Sequence, residues 1–172
     1  MKILKTKFKD LLVFKSKNFY DKRGLFRELV LEKKIKKKLP FTVVSRSKKN
    51  VLRGLHMQKK RKQGKYISCI KGKILDVAVD CRKKSKTFGK HFKIILSEKN
   101  CKSIYIPPGF IHGFLGLEKE NLVIYSCTNY RDKNSEIGIN WNDEDLNINW
   151  NVKSPILSRK DRKNLKFKEV RF

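Results

Sequence analysis

His56, in the run Arg53-Gly54-Leu55-His56, and Lys65, in Gln63-Gly64-Lys65, stand nine residues apart on either side of a turn-like stretch. A histidine can take a proton near neutral pH because its unperturbed pKa lies close to the working pH. An ammonium group beside it can stabilise the negative charge left behind. The pair therefore points to abstraction of an acidic C–H proton. That chemistry also needs a group to orient the base and an acid to return the proton. Tyr125 is a candidate acid: it falls within the apolar run 122–127, alternating opposite to Leu122 and Ile124, so a strand there would aim it at an interior. Taken singly, a lone histidine or a strand tyrosine is more simply a core residue.

Other chemistries lack their residues. A metal site would need three or four converging ligands, yet the three histidines stand far apart at 56, 91 and 112, and Gln58 occupies the place that would complete an HxH pair. No metal is expected. There is no G-x-S-x-G nucleophile elbow, no phosphate loop and no G-x-G-x-x-G. Cys69, Cys81, Cys101 and Cys127 have no CxxC spacing, and they read as reduced, buried thiols. What remains is proton transfer without a cofactor.

The net charge of +28, from 44 basic against 16 acidic residues, raises nucleic acid as a partner. Only 10 of the basic residues are arginine, the side chain suited to base readout, and they are spread along the chain with no recognition motif. A lysine-rich solvated surface is the simpler reading, and no nucleic-acid partner is expected. The start of the chain lacks the apolar run of a signal peptide, and no stretch approaches a membrane span. The expectation is a cytoplasmic protein with no membrane partner. Its 172 residues suit one domain with a substantial core, spanning 1–172.

Strands must position these groups. In 74–80, Leu75, Val77 and Val79 alternate with Asp76, Ala78 and Asp80, a period of two. Shorter runs at 66–70, 92–96, 103–106 and 122–127 are separated by the turn signals Lys71-Gly72-Lys73, Lys86-Thr87-Phe88-Gly89 and Pro107-Pro108-Gly109. Many short, evenly spaced strands predict an all-β sandwich or barrel such as a jelly roll. Leu31, Ile35 and Leu39 predict one short helix with a lysine face, ended by Pro40, and the stretch from Ser154 predicts a short polar helix on the outside.

The ordered set of motifs carries a family resemblance. It runs from Asp21-Lys22-Arg23-Gly24-Leu25-Phe26-Arg27-Glu28 through Arg53-Gly54-Leu55-His56-Met57-Gln58, Gln63-Gly64-Lys65 and the segment 76–85. It continues through Thr87-Phe88-Gly89, the segment 106–114 containing His112-Gly113-Phe114, Tyr125, Thr128-Asn129-Tyr130, Trp141-Asn142-Asp143-Glu144 and Leu157-Ser158-Arg159-Lys160-Asp161. Any one piece is weak, but the whole, over about residues 10 to 165, resembles the dTDP-4-dehydrorhamnose 3,5-epimerases of the cupin superfamily. The resemblance implies a cupin-type jelly roll with a few short peripheral helices, forming a homodimer. It implies a nucleotide-linked 4-keto-6-deoxy sugar as substrate, with neither metal nor cofactor.

By the same resemblance His56 is the base, Asp161 its carboxylate partner, Lys65 the oxyanion cation and Tyr125 the acid. Arg23 and Arg53 are diphosphate contacts, and Phe26, Glu28 and Tyr130 are nucleotide and sugar contacts. Ser45 is a substrate contact, and His112 lines the pocket or serves the structure. Residues of the early segment reach the neighbouring subunit's site. The alternatives are a 3- or 5-monoepimerase, an epimerase of another nucleotide sugar, and, in a different class, a non-catalytic cupin that binds a sugar nucleotide. The chain departs from the family pattern at Phe41 and Val43, where Gln-x-Asn commonly precedes Ser-x-Ser, and at Arg131, where a second aromatic is frequent.

Overall fold

A computed structural model describes residues 1–172 as two antiparallel sheets packed face to face. The larger sheet has six strands in the order β1 (Lys2–Lys5), β2 (Leu12–Lys15), β10 (Lys102–Ile106), β7 (Lys65–Lys71), β12 (Asn121–Cys127) and β5 (Phe41–Ser47). The smaller has five, in the order β13 (Glu136–Gly138), β6 (Leu52–Gln58), β11 (Phe110–Gly116), β8 (Lys73–Asp80) and β9 (His91–Ser97). A separate hairpin joins β3 (Phe19–Asp21) to β4 (Gly24–Phe26). The non-consecutive neighbours in both sheets are those of a jelly roll rather than a meander.

The alternation in each strand divides its side chains between two cores. Ile67, Ile104 and Val123 from one sheet meet Ile74, Ala78 and Phe114 from the other in the sandwich interior. The outward face of the five-stranded sheet is covered as well. Leu55, Met57, Val77 and Val79 pack there against Leu146, Ile148 and Trp150 from the C-terminal third of the chain. Strand β8 is thus buried on both faces. The period of two at 74–80 is real, yet its more polar face is the inner one: Asp76 and Ala78 are fully buried.

Both expected helices are corrected. In place of a helix through Leu39, α1 (Glu32–Ile35) is a single turn, stopped by Lys36 in the left-handed region (φ 57°). So short a segment gains little from its own hydrogen bonds; what holds it is Ile35, buried against Phe14, Tyr66 and Tyr105 on the outer face of the six-stranded sheet. The stretch from Ser154 is not a helix either. It lies extended, with Ile156 bridging Val51 and Leu165 bridging Ile139, and is broken by 3-10 turns at Asp161–Lys163 and Phe167–Glu169. Its backbone groups are taken up by the edge of the neighbouring sheet, as in Ile156 N–H to Asn50 O at 2.8 Å and Asn140 N–H to Leu165 O at 2.8 Å. No helix is long and apolar enough to cross a membrane.

Candidate active site

A cavity of about 780 Å³ opens between the sheets at the end where β5, β6, β7 and β12 meet the C-terminal segment. Register decides what faces into it. On the five-stranded sheet, His56 of β6 and His112 of β11 are cross-strand partners. Close approach of these strands depends on two glycines: a Cβ on Gly54 (φ +128°) would come within 2.5 Å of the Gly113 Cα. On the facing sheet, Lys65 of β7 pairs with Cys127 of β12, and Tyr125, two residues before Cys127, points to the same side. His56, Lys65, His112 and Tyr125 all line the cavity, with Ser45 and Arg53 beside them.

Asp161 reaches the site from the first C-terminal 3-10 turn. Its Oδ1 lies 2.5 Å from Nε2 of His56, and its backbone N–H donates to Ser158 Oγ at 3.0 Å. Burial alone would raise the Asp161 carboxyl, but the hydrogen bond and charge of His56, with further donors from Ser158 and Gly54, hold it below its ordinary value. With Nε2–H donated to this carboxylate, Nδ1 is the ring nitrogen left for a substrate proton. Glu136 Oε1 lies 4.0 Å from that nitrogen. Glu136 is itself tied to Arg131 at 2.9 Å and to Lys160 at 3.2 Å. Burial pushes its carboxyl up, yet these two cations outweigh burial and lower it.

The opposite wall is tuned the other way. Burial lowers the Lys65 ammonium, opposed in part by Cys127, Glu136 and Asp76. Burial raises the Tyr125 phenol above its ordinary value, although a hydrogen-bond contact with Ser45 Oγ at 3.2 Å opposes the shift. A phenol that keeps its proton is a proton donor in waiting, and a cation in a low-dielectric wall is a strong partner for a developing oxyanion. The base on one sheet and the acid on the other stand across a single space, which suits removal of a proton from one face of a carbon and its return to the other.

These features have counterparts among known proteins. A family model described as dTDP-4-dehydrorhamnose 3,5-epimerase matches residues 5–169. The chain is 43% identical over 174 residues to the dTDP-4-dehydrorhamnose 3,5-epimerase of Shigella flexneri, covering 97% of this chain and 96% of that one. The crystal structure of the enzyme of that name from Elizabethkingia anophelis superposes with a TM-score of 0.91 at 40% identity, over 98% of this chain and 97% of the other. The dTDP-6-deoxy-D-glucose-3,5-epimerase of Legionella pneumophila, solved with dTDP-4-keto-L-rhamnose, gives 0.94 at 36% identity over 99% and 94%.

The chain belongs to the dTDP-4-dehydrorhamnose 3,5-epimerase family. It is an isomerase, and its sandwich is the family's cupin-type fold.

Within the single chain of this epimerase, not every expected contact reaches the cavity. Arg23 is 90% exposed and pairs with Asp21 instead. Phe26 and Glu28 are also exposed, because the hairpin β3–β4 that carries this segment projects from the sandwich. Tyr130 does not line the cavity; its ring packs against Phe41, which does, with centroids 5.8 Å apart. Arg53 stands at the cavity wall, its guanidinium held by Ser47 Oγ at 2.9 Å and Arg46 O at 3.1 Å, and pairs with no carboxylate.

Other members of the site escaped the sequence reading. Asp76, fully buried, lies 2.8 Å from His112 Nε2, and its Oδ1 has no hydrogen-bond partner. An acid inside an apolar alternating strand was the signal for it. Glu136 and Lys160 line the cavity; Lys160 lies beside Asp161 in the Leu157–Asp161 motif, but nothing in its local sequence marks Glu136. No group of three or more His, Cys, Asp or Glu side chains is gathered as a metal site requires.

Proposed function

We propose that this epimerase inverts C3, C5 or both in a dTDP-linked 4-keto-6-deoxy sugar through an enolate. The 4-ketone acidifies the adjacent protons. His56 Nδ1 takes one of them, Asp161 stabilises the imidazolium that forms, and the electron pair moves onto the C4 oxygen beside Lys65. Tyr125 then protonates the carbon from the opposite face, the ketone re-forms, and solvent restores the two side chains. The observation that carries this reading is the His56–Asp161 pair at 2.5 Å with Lys65 and Tyr125 in the facing wall of one cavity. In this reading Ser45, Arg53, His112, Glu136 and Lys160 hold the substrate, with Arg53 free to meet the diphosphate.

Arg23, Phe26, Glu28 and Tyr130 complete the substrate site in a homodimer, where the hairpin of one subunit reaches the other's cavity. The exposed apolar residues of that hairpin, Phe19 (48%), Tyr20 (73%), Leu25 (48%) and Phe26 (67%), support a second copy as its partner. The four free, buried thiols support a reducing compartment, the cytoplasm. The whole of 1–172 acts as one domain in this reading.

The test is NMR of the dTDP-4-keto-6-deoxy sugar in deuterium oxide with the purified protein. Deuterium entering at C3 and C5, with inversion at both, marks the 3,5-epimerase; entry and inversion at one centre marks a monoepimerase. Tight binding with no exchange at either would overturn the reading in favour of a sugar-nucleotide-binding cupin.

A further inference from the structure

The strands β7, β12 and β5 pair in register. Lys65, Cys127 and Phe41 therefore form one inward-facing row, and Ile67, Tyr125 and Val43 form the next. Phe41, Val43, Tyr125 and Cys127 all line the cavity. At the β5 end of these rows the lining side chains, Phe41 and Val43, are aromatic and aliphatic. The next inward side chain along β5 is Ser45, whose hydroxyl is already engaged with Tyr125. Phe41 is backed by the Tyr130 ring, and Phe114 of the facing sheet stands 6.1 Å from Tyr125. Adjacent strands are about 4.8 Å apart, so Val43 lies one strand from the phenol that faces the reacting carbon. With the reacting carbon at the phenol, as the proposed function has it, a substituent directed toward β5 would approach Val43, the cross-strand partner of Tyr125.

We propose that Val43, backed by Phe41, is a specificity-determining residue: it receives the methyl end of a 6-deoxy sugar and selects against a sugar that keeps its 6-hydroxyl. The inference rests on the function proposed above. A hydroxyl pressed against Val43 and Phe41 leaves water without gaining a partner. An apolar wall of this kind discriminates against an added hydroxyl by up to about a hundredfold. Contact with a spectator methyl is equal in the ground and transition states, so its loss raises KM more than it lowers kcat.

The experiment compares kcat/KM for a dTDP-4-keto-6-deoxyhexose and for the dTDP-4-ketohexose that retains the 6-hydroxyl. It uses the wild type, Val43→Thr and Val43→Ile. Val43 lies on an edge strand and is 39% exposed, and thermal melting checks that each variant folds. The wild type is expected to favour the 6-deoxy substrate by tens-fold or more. Val43→Thr, nearly isosteric but with a hydroxyl, should lower that preference about tenfold, mainly through KM, whereas Val43→Ile should keep it. A wild type without the preference, or a folded Val43→Thr protein with an unchanged ratio, overturns the inference. Turnover of the 6-deoxy substrate by the wild type keeps the two claims apart. If it is absent, the proposed function fails; if it is present with an unmoved ratio, only the role of Val43 fails.

Discussion

Nε2 of His56 and Oδ1 of Asp161 are 2.5 Å apart across 105 residues of sequence, one on a strand of the five-stranded sheet and the other on a C-terminal turn laid over that sheet's edge. The contact leaves Nδ1 as the free nitrogen of the ring and gives the imidazolium a buried counter-charge. Asp161→Asn keeps the shape but removes the charge and can present the wrong hydrogen-bonding group to Nε2. Deuterium exchange at C3 and C5 should fall by about 10²–10⁴-fold, the range that general-base catalysis supplies. The melting temperature should change little beside that. Exchange within tenfold of wild type would show that His56 does not work through this carboxylate.

In the proposed mechanism Tyr125 and His56 act on opposite faces, so removing the phenol should separate exchange from inversion. Tyr125→Phe is expected to retain slow deuterium incorporation, since His56 can still take a proton and return a deuteron to the same face. Epimerised product should drop at least a hundredfold. The ratio of labelled starting sugar to labelled epimer, read by NMR, is the measurement; an unchanged ratio would point to another acid.

In the proposed mechanism the ammonium of Lys65 must be charged to hold an enolate. Burial lowers its pKa from 10.5, so the alkaline limb of the activity profile should fall as pH rises through the lowered value, before a free lysine would lose its proton. Lys65→Arg, charged throughout, should lose rate from misfit while its remaining activity lacks that alkaline decline. A wild-type profile flat to pH 10.5 would assign the oxyanion to another group.

Asp80 is expected to contribute acid-dependent stability apart from catalysis. Burial raises its carboxyl, but donors outweigh this: Arg82 at 2.8 Å, Ser85 at 2.6 Å and Thr87 at 2.7 Å bring it down to about 2. The folded value lies below the unfolded 3.8, so the stabilisation is fully present above pH 3.8 and is lost as pH falls through about 2. Urea midpoints measured at pH 6, 4 and 2 should fall most steeply in the last interval. Asp80→Asn should be less stable at pH 6 and show a shallower decline over the same interval.

Much of this protein was legible before its fold. Alternation and turn signals implied a sheet protein because a strand's two faces repeat every second residue whatever the strand packs against. The same rule aimed Tyr125 inward, and the ordered motifs marked His56, Lys65 and Asp161 through their resemblance to a family. Local pattern misjudged segments whose conformation is dictated from outside. Residues 154–169 carry polar side chains suited to a surface helix, yet they lie extended because the sheet edges at Val51 and Ile139 take their backbone hydrogen bonds. The polar face of β8 is interior because a second layer covers the other face. Glu136 near His56 and Asp76 against His112 exist only once register sets strands from distant sequence side by side. Hydrophobic period is a property of neighbouring residues and can be read along the chain, whereas the distance between a base and its carboxylate depends on the closure of the whole sandwich.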